Sequence, residues 1–239
     1  MSAQYHPSPS AGRMARLAGL SYLIYSAAGI YITFGPIPPL RAFTTLSAAT
    51  EPLEFLFRTG FLAETLMYIF VCVSAAAMYG VLRSVNQAGA LVAAFCRLIE
   101  GALGVTFILF KYATFSVLVH PELTPGFTDD QRVSLMMLLR DIYGSGLYFL
   151  LMPMAVGGIL YFFLFHRSGF IPRWLSIWGM FTYLVIGTVA ALVVLFPEAE
   201  DQVMLFFLPG ALFEWVAAIW LLFVGIRKPK LRDVQVSAG

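Results

Sequence analysis

Charge is what this chain has least of. Charged residues fill 12% of its 239 positions, about half of the roughly 25% that keeps a soluble domain's surface wet. No polar segment is long enough to form a second, soluble domain. The net charge is +2 and the Lys and Arg residues are dispersed, so the basic patch that nucleic-acid binding requires is missing. Cysteine is nearly absent too: Cys72 and Cys96 both lie in apolar runs, which argues against a disulfide framework and against a zinc site. The histidines, His6, His120 and His166, fall in a tail and in loops predicted for opposite faces. They cannot pair to ligate a haem within a bilayer, and neither cysteine has a histidine base at its depth. No Walker motif, Gly-x-Gly-x-x-Gly turn or His-Glu-x-x-His spacing occurs. No cofactor and no metal are predicted.

Apolar length is what the chain has in abundance. Hydrophobic residues make up 60% and aromatics 15%, with a mean hydropathy of +0.83. A bilayer core about 30 Å thick takes roughly 20 apolar residues per helix, and six runs meet that need: 17–34, 59–82, 88–110, 142–165, 174–196 and 203–226. The predicted fold is therefore all-α, a polytopic membrane bundle of six transmembrane helices over residues 14–226. Residues 1–13 read as a disordered N-terminus and 227–239 as a basic tail. The first run continues through Tyr22, Tyr25 and Tyr31 to a Gly35-Pro36 stop without a convincing cleavage site, so it reads as a retained anchor and not a cleaved signal.

The flanking charges orient the spans. One side holds nine basic residues, Arg13, Arg16, Arg83, Arg167, Arg173, Arg227, Lys228, Lys230 and Arg232, whereas the other holds two, Arg41 and the boundary residue Arg132. The positive-inside rule then predicts that both termini are cytoplasmic. On the outer side, residues 35–57 open with three prolines and continue as an amphipathic stretch, 46–57, expected to lie at the interface. Residues 120–132 read as irregular, and Thr128-Asp129-Asp130-Gln131 has the pattern of a helix cap leading into the fourth span.

Ionisable residues inside spans are costly and usually face a bundle interior or a cavity. Arg97, Glu100 and Glu214 fall near the midplane; Arg58, Glu64, Lys111, Arg140 and Asp141 fall toward the outer boundary. Arg97 and Glu100, three apart, share a helical face and can pair. Either Arg97 also bridges Glu214, as is expected on charge balance, or Glu214 carries a proton. The set is read in two ways: as a buried ion network fixing helix register, or as a ligand site. Arg58, Lys111, Arg140 and Asp141 around Glu64 suggest a polar vestibule opening outward; the alternative makes these four interfacial anchors, the preferred reading for Lys111, which can snorkel outward. The glycine pairs and the four tryptophans are read as packing and interface residues.

Five stretches resemble a family of bacterial membrane proteins, the domain of unknown function family 4386. They are residues 15–23 (ARLAGLSYL), 57–64 (FRTGFLAE), 94–100 (AFCRLIE), 167–175 (RSGFIPRWL) and the acidic start of the last span at Glu214-Trp215. They occur in order and cover nearly the whole chain. The sequence departs from the family pattern at Glu100, where a neutral polar residue is expected, and at Arg140-Asp141, where His or Tyr is. The resemblance implies a multi-pass protein of the bacterial cytoplasmic membrane and supplies no reaction. From the residues, the first functional reading is binding or transport of a small polar or amphipathic molecule, with the lipid bilayer as surroundings. The second is an accessory subunit of a membrane-protein partner. The third is an enzyme acting on a lipid or isoprenoid, with Glu64 or Glu214 as acid–base.

Overall fold

The structure is a computed structural model that describes residues 8–38 and 51–227. Six long helices carry it: α1 Ala11–Phe34, α2 Glu51–Leu82, α3 Gln87–Val119, α4 Asp129–Ser168, α5 Arg173–Leu195 and α6 Leu208–Ile219. No strand occurs among the described residues. A 3-10 turn, Met204–Phe207, leads into α6, and a π-helical turn, Trp220–Val224, extends it. With those extensions, six helices are long and apolar enough to cross a membrane.

Neighbours in sequence are neighbours in space. Each helix packs on the next from α1 to α5, and α6 returns against both α5 and α1, closing a ring. Two short turns, residues 83–86 and 169–172, lie at one end of this bundle, termed the short-turn end. The α1–α2, α3–α4 and α5–α6 connections lie at the other, the long-loop end.

Local chemistry sets the helix ends. Asn86 caps α3 by accepting a 2.8 Å hydrogen bond from Gly89 N–H. Thr128 and Gln131 form the expected capping box on α4, at 3.3 and 2.9 Å, satisfying backbone donors that a helix start leaves free. At the far end of α4, Gly169 takes φ +68°, a left-handed conformation that a Cβ would strain. Arg132 reaches back from α4 to donate a 2.9 Å bond to Val117 O in the last turn of α3, clipping the α3–α4 loop shut. At about 1.5 Å per residue, the 40 residues of α4 run about 60 Å. That is twice the roughly 30 Å of a bilayer core, so α4 projects beyond the membrane.

Two expectations need correction. Residues 11–13 are the first turn of α1 and not part of a tail. Residues 51–57 are the first turns of α2, continuous with the second span; Phe57 is 1% exposed and packs against Phe115, so this part of the amphipathic stretch belongs to the bundle and not to a separate interfacial segment. The sixth span stands over Leu205–Val224, with a 3-10 turn leading into its regular helix and a π turn ending it. Residues 1–7, 39–50 and 228–239, with the remaining expectations for the tails and for 46–50, lie outside the described residues.

Aromatic rings seated on glycines lock the helices together. Tyr68 of α2 lies on Gly104 of α3, Phe107 of α3 on Gly146 of α4, and Tyr183 of α5 on Gly158 of α4, each ring occupying the space of the missing side chain. Close packing over small residues is the usual source of helix adhesion in lipid, where burial of apolar surface gains nothing. The outer faces are apolar as well: Leu62, Leu109, Phe181 and Phe223 are each at least 62% exposed. A soluble monomer does not present so much contiguous apolar surface.

Candidate functional site

Inside the ring is a cavity of about 530 Å³, within the size range of small-molecule sites, roughly 300–1,000 Å³. Helix α1 contributes Tyr25, Ser26, Gly29 and Thr33, which lie at i, i+1, i+4 and i+8 and therefore form one polar and small-residue stripe. From α4 come Leu147, Leu150, Leu151 and Met154; from the α6 region come Leu205, Leu208, Ala211, Glu214 and Trp215. Among the described residues the rim includes Ile30, Phe34, Leu205 and Leu208, all well exposed and all apolar. It lies where the long-loop ends of α1 and α6 diverge. At the short-turn end the same two helices are in backbone contact: a Cβ on Gly19 would come 2.5 Å from Leu222 N and 2.7 Å from Ala218 O.

Arg97, Glu100 and Glu214 form the charged part of the lining. Arg97 Nη1 lies 2.8 Å from Glu100 Oε2, with both side chains on one face of α3 and almost wholly buried. The pair is close but poorly aligned, so Arg97 Nη1 and Nη2 and Glu100 Oε2 have no well-formed hydrogen bond. The Arg97 guanidinium stands 5.8 Å from the ring centre of Tyr25. Tyr25 Oη and Ser26 Oγ are also buried, beside the Glu214 carboxylate. The expected bridge from Arg97 to Glu214 is not made, since Arg97 ion-pairs with Glu100 alone. Glu214 instead accepts a 3.2 Å hydrogen bond from Tyr183 Oη of α5, and that hydroxyl lies 3.4 Å from Tyr22 Oη of α1. Buried polar groups left without partners are costly. Several buried polar groups lie in residues that line this cavity, among them Arg97, Glu100, Tyr25 and Ser26.

The second charge group is a separate feature. Glu64 of α2 accepts from Lys111 Nζ of α3 at 2.5 Å, and Lys111 lies 5.1 Å from the ring centre of Tyr143 on α4. Lys111 is only 6% exposed, so it is an interior cation and not a snorkelling anchor. The void beside the pair, lined by Pro36, Phe57, Gly60 and Phe61 among others, holds about 10 Å³, at most one water. Arg58 turns back along its own helix to Glu54, at 2.6 Å. Arg140 lies 3.7 Å from Asp141, whose side chain is 71% exposed. The structure thus gathers Arg97, Glu100 and Glu214 around one cavity, closes Glu64 against Lys111, and places Arg58, Arg140 and Asp141 in local pairs at the periphery.

Reading the charges alone missed Lys111 as a buried partner and the tyrosines Tyr22, Tyr25 and Tyr183 as part of the polar wall. The available signal was the run of Tyr22, Tyr25 and Ser26 on α1, since buried hydroxyls usually need a hydrogen-bond partner. No group of residues able to hold a metal ion occurs among the described residues.

Six helices long and apolar enough to cross a membrane define a multi-pass membrane protein, five of them lining one largely apolar cavity with Arg97, Glu100 and Glu214 on its wall. Its particular family follows from comparison: the chain matches the family described as Domain of unknown function (DUF4386) over residues 17–225, and belongs to it. No curated protein and no solved structure matches the chain.

Proposed function

We propose that this protein binds a small amphipathic molecule within the bundle, its polar end on the Arg97–Glu100–Glu214 wall and its apolar body against α4 and α6. The observation that carries this reading is the cavity itself. About 530 Å³ of space has Arg97, Glu100 and Glu214 on one wall and Leu147, Leu150, Leu151 and Met154 on another. A purely structural ion pair does not call for an adjoining void, because voids forfeit packing contacts. The apolar rim suits a molecule that arrives from within the lipid. The nine-to-two bias of flanking basic residues supports a placement with the long-loop end outside the cytoplasmic membrane.

The test is native mass spectrometry of the full-length protein released from a mild detergent, beside Ala211→Phe, which fills the cavity from α6. The expected result is a retained small molecule on the wild type that is lost from a monodisperse Ala211→Phe protein. An identical spectrum for the two, with or without an adduct, would overturn the reading.

A further inference from the structure

The charge balance of the polar wall points to the class of ligand. Arg97 and Glu100 offset one another, and they are 1% and 4% exposed. Glu214 is less deeply buried than either and is the carboxylate that an occupant of the cavity meets. The groups around it are Tyr22, Tyr25 and Ser26 from α1, Arg97 and Glu100 from α3, and Tyr183 from α5. Helix α2 adds Tyr68 to the cavity and α4 adds apolar side chains alone. One guanidinium therefore faces two carboxylates, with no further cation on the lining among the described residues. An excess carboxylate in a low-dielectric interior is stable only with a proton or a counter-cation.

Aromatic surface stands beside that carboxylate. Trp215 is its chain neighbour, and Tyr25 and Tyr68 line the same space. Ring faces attract organic cations, most strongly where water is excluded.

We propose, building on the binding reading above, that the cavity takes an amphipathic organic cation, which competes with a proton for Glu214. In the exchange the Glu214 O–H bond breaks, the proton leaves to water, and the resulting carboxylate is the counter-ion of the incoming cation. Arg97 and Glu100 keep their mutual pairing throughout. The nearby hydroxyls of Tyr25 and Ser26 supply donors to the carboxylate when it is charged. An anionic ligand would add a second uncompensated charge to a wall that already has one.

The test uses two hydrophobic ions of nearly the same shape and opposite charge, tetraphenylphosphonium and tetraphenylborate, with the full chain in neutral detergent. Neither ion titrates, so any pH dependence belongs to the protein. Tetraphenylphosphonium is expected to bind, to release close to one proton per ion in weakly buffered solution, and to lose about tenfold in affinity per pH unit once Glu214 is mostly protonated. Glu214→Gln should flatten the pH dependence and weaken binding at least tenfold. Proton release is read on the wild type, so the test survives if that variant fails to fold. Binding of tetraphenylphosphonium without proton release, or equal binding by Glu214→Gln, overturns the assignment. Tighter binding of tetraphenylborate that is lost in Ala211→Phe overturns the cation while leaving the cavity reading intact. If neither ion binds the wild type differently from Ala211→Phe, the cation assignment falls; the cavity reading itself falls only if native mass spectrometry also shows no difference between them.

Discussion

Lys111 Nζ lies 2.5 Å from Glu64 Oε2, joining α2 to α3 through two side chains that are only 8% and 13% exposed. The pair links two long helices. Removing one partner leaves the other charged and uncompensated, which typically costs about 3–5 kcal/mol.

Lys111→Met should therefore lower the thermal midpoint of the detergent-solubilised protein sharply, whereas Lys111→Met with Glu64→Leu should recover most of the loss. Size-exclusion traces after a temperature ramp report both. A single variant as stable as the wild type would show that the pair contributes nothing.

The Arg97–Glu100 pair separates structure from function. Arg97→Ala should destabilise by about 3–5 kcal/mol, as for any half-removed buried pair. Arg97→Met with Glu100→Leu should fold, because replacing a buried pair by apolar groups of similar volume is often neutral or better. If the wall is a site, this folded double variant loses the small molecule seen in native mass spectra. Retention of that molecule would reduce the pair to a packing element.

Ring closure can be broken at Gly19. A Cβ there meets backbone of α6 at 2.5 and 2.7 Å, and backbone cannot swing aside as a side chain can; Gly12, about two turns earlier on α1, has open space around it. Gly19→Ala should cost about 1–3 kcal/mol as an overpacking change, with Gly12→Ala close to neutral. The comparison of their thermal midpoints is the check, and equal midpoints would contradict the close approach of α1 and α6.

Sidedness is open to chemical labelling. In a background lacking Cys72 and Cys96, Asp130→Cys at the exposed start of α4 should react with a membrane-impermeant thiol reagent in intact cells. Ser84→Cys, in the exposed α2–α3 turn, should react only after permeabilisation. A reporter fused after Gly239 that works only in the periplasm should stay silent. The reverse pattern would invert the proposed orientation.

How much of this was legible in the chain differs by feature. The helices were, because apolar runs of about 20 residues leave few alternatives once backbone groups must be satisfied without water. The capping box at Thr128 was, because a cap is made by residues three apart. So was the pairing of Arg97 with Glu100, which share one face of one helix. Partners from different helices were not. Lys111 looked like a boundary lysine because its position in the run says nothing of the helix beside it, and Glu64 lies 47 residues away. Arg97 and Glu214 share a depth, yet the hydrogen bond to Glu214 comes from Tyr183, since rotation about each helix axis decides which side chain faces which. The sequence by itself determined a bilayer-crossing set of helices and the residues too polar for lipid. Which of those residues meet, and that a cavity of about 530 Å³ separates α1 from α6 at one end while Gly19 brings their backbones together at the other, was decided only by tertiary packing, because depth is a property of one helix and facing is a property of several.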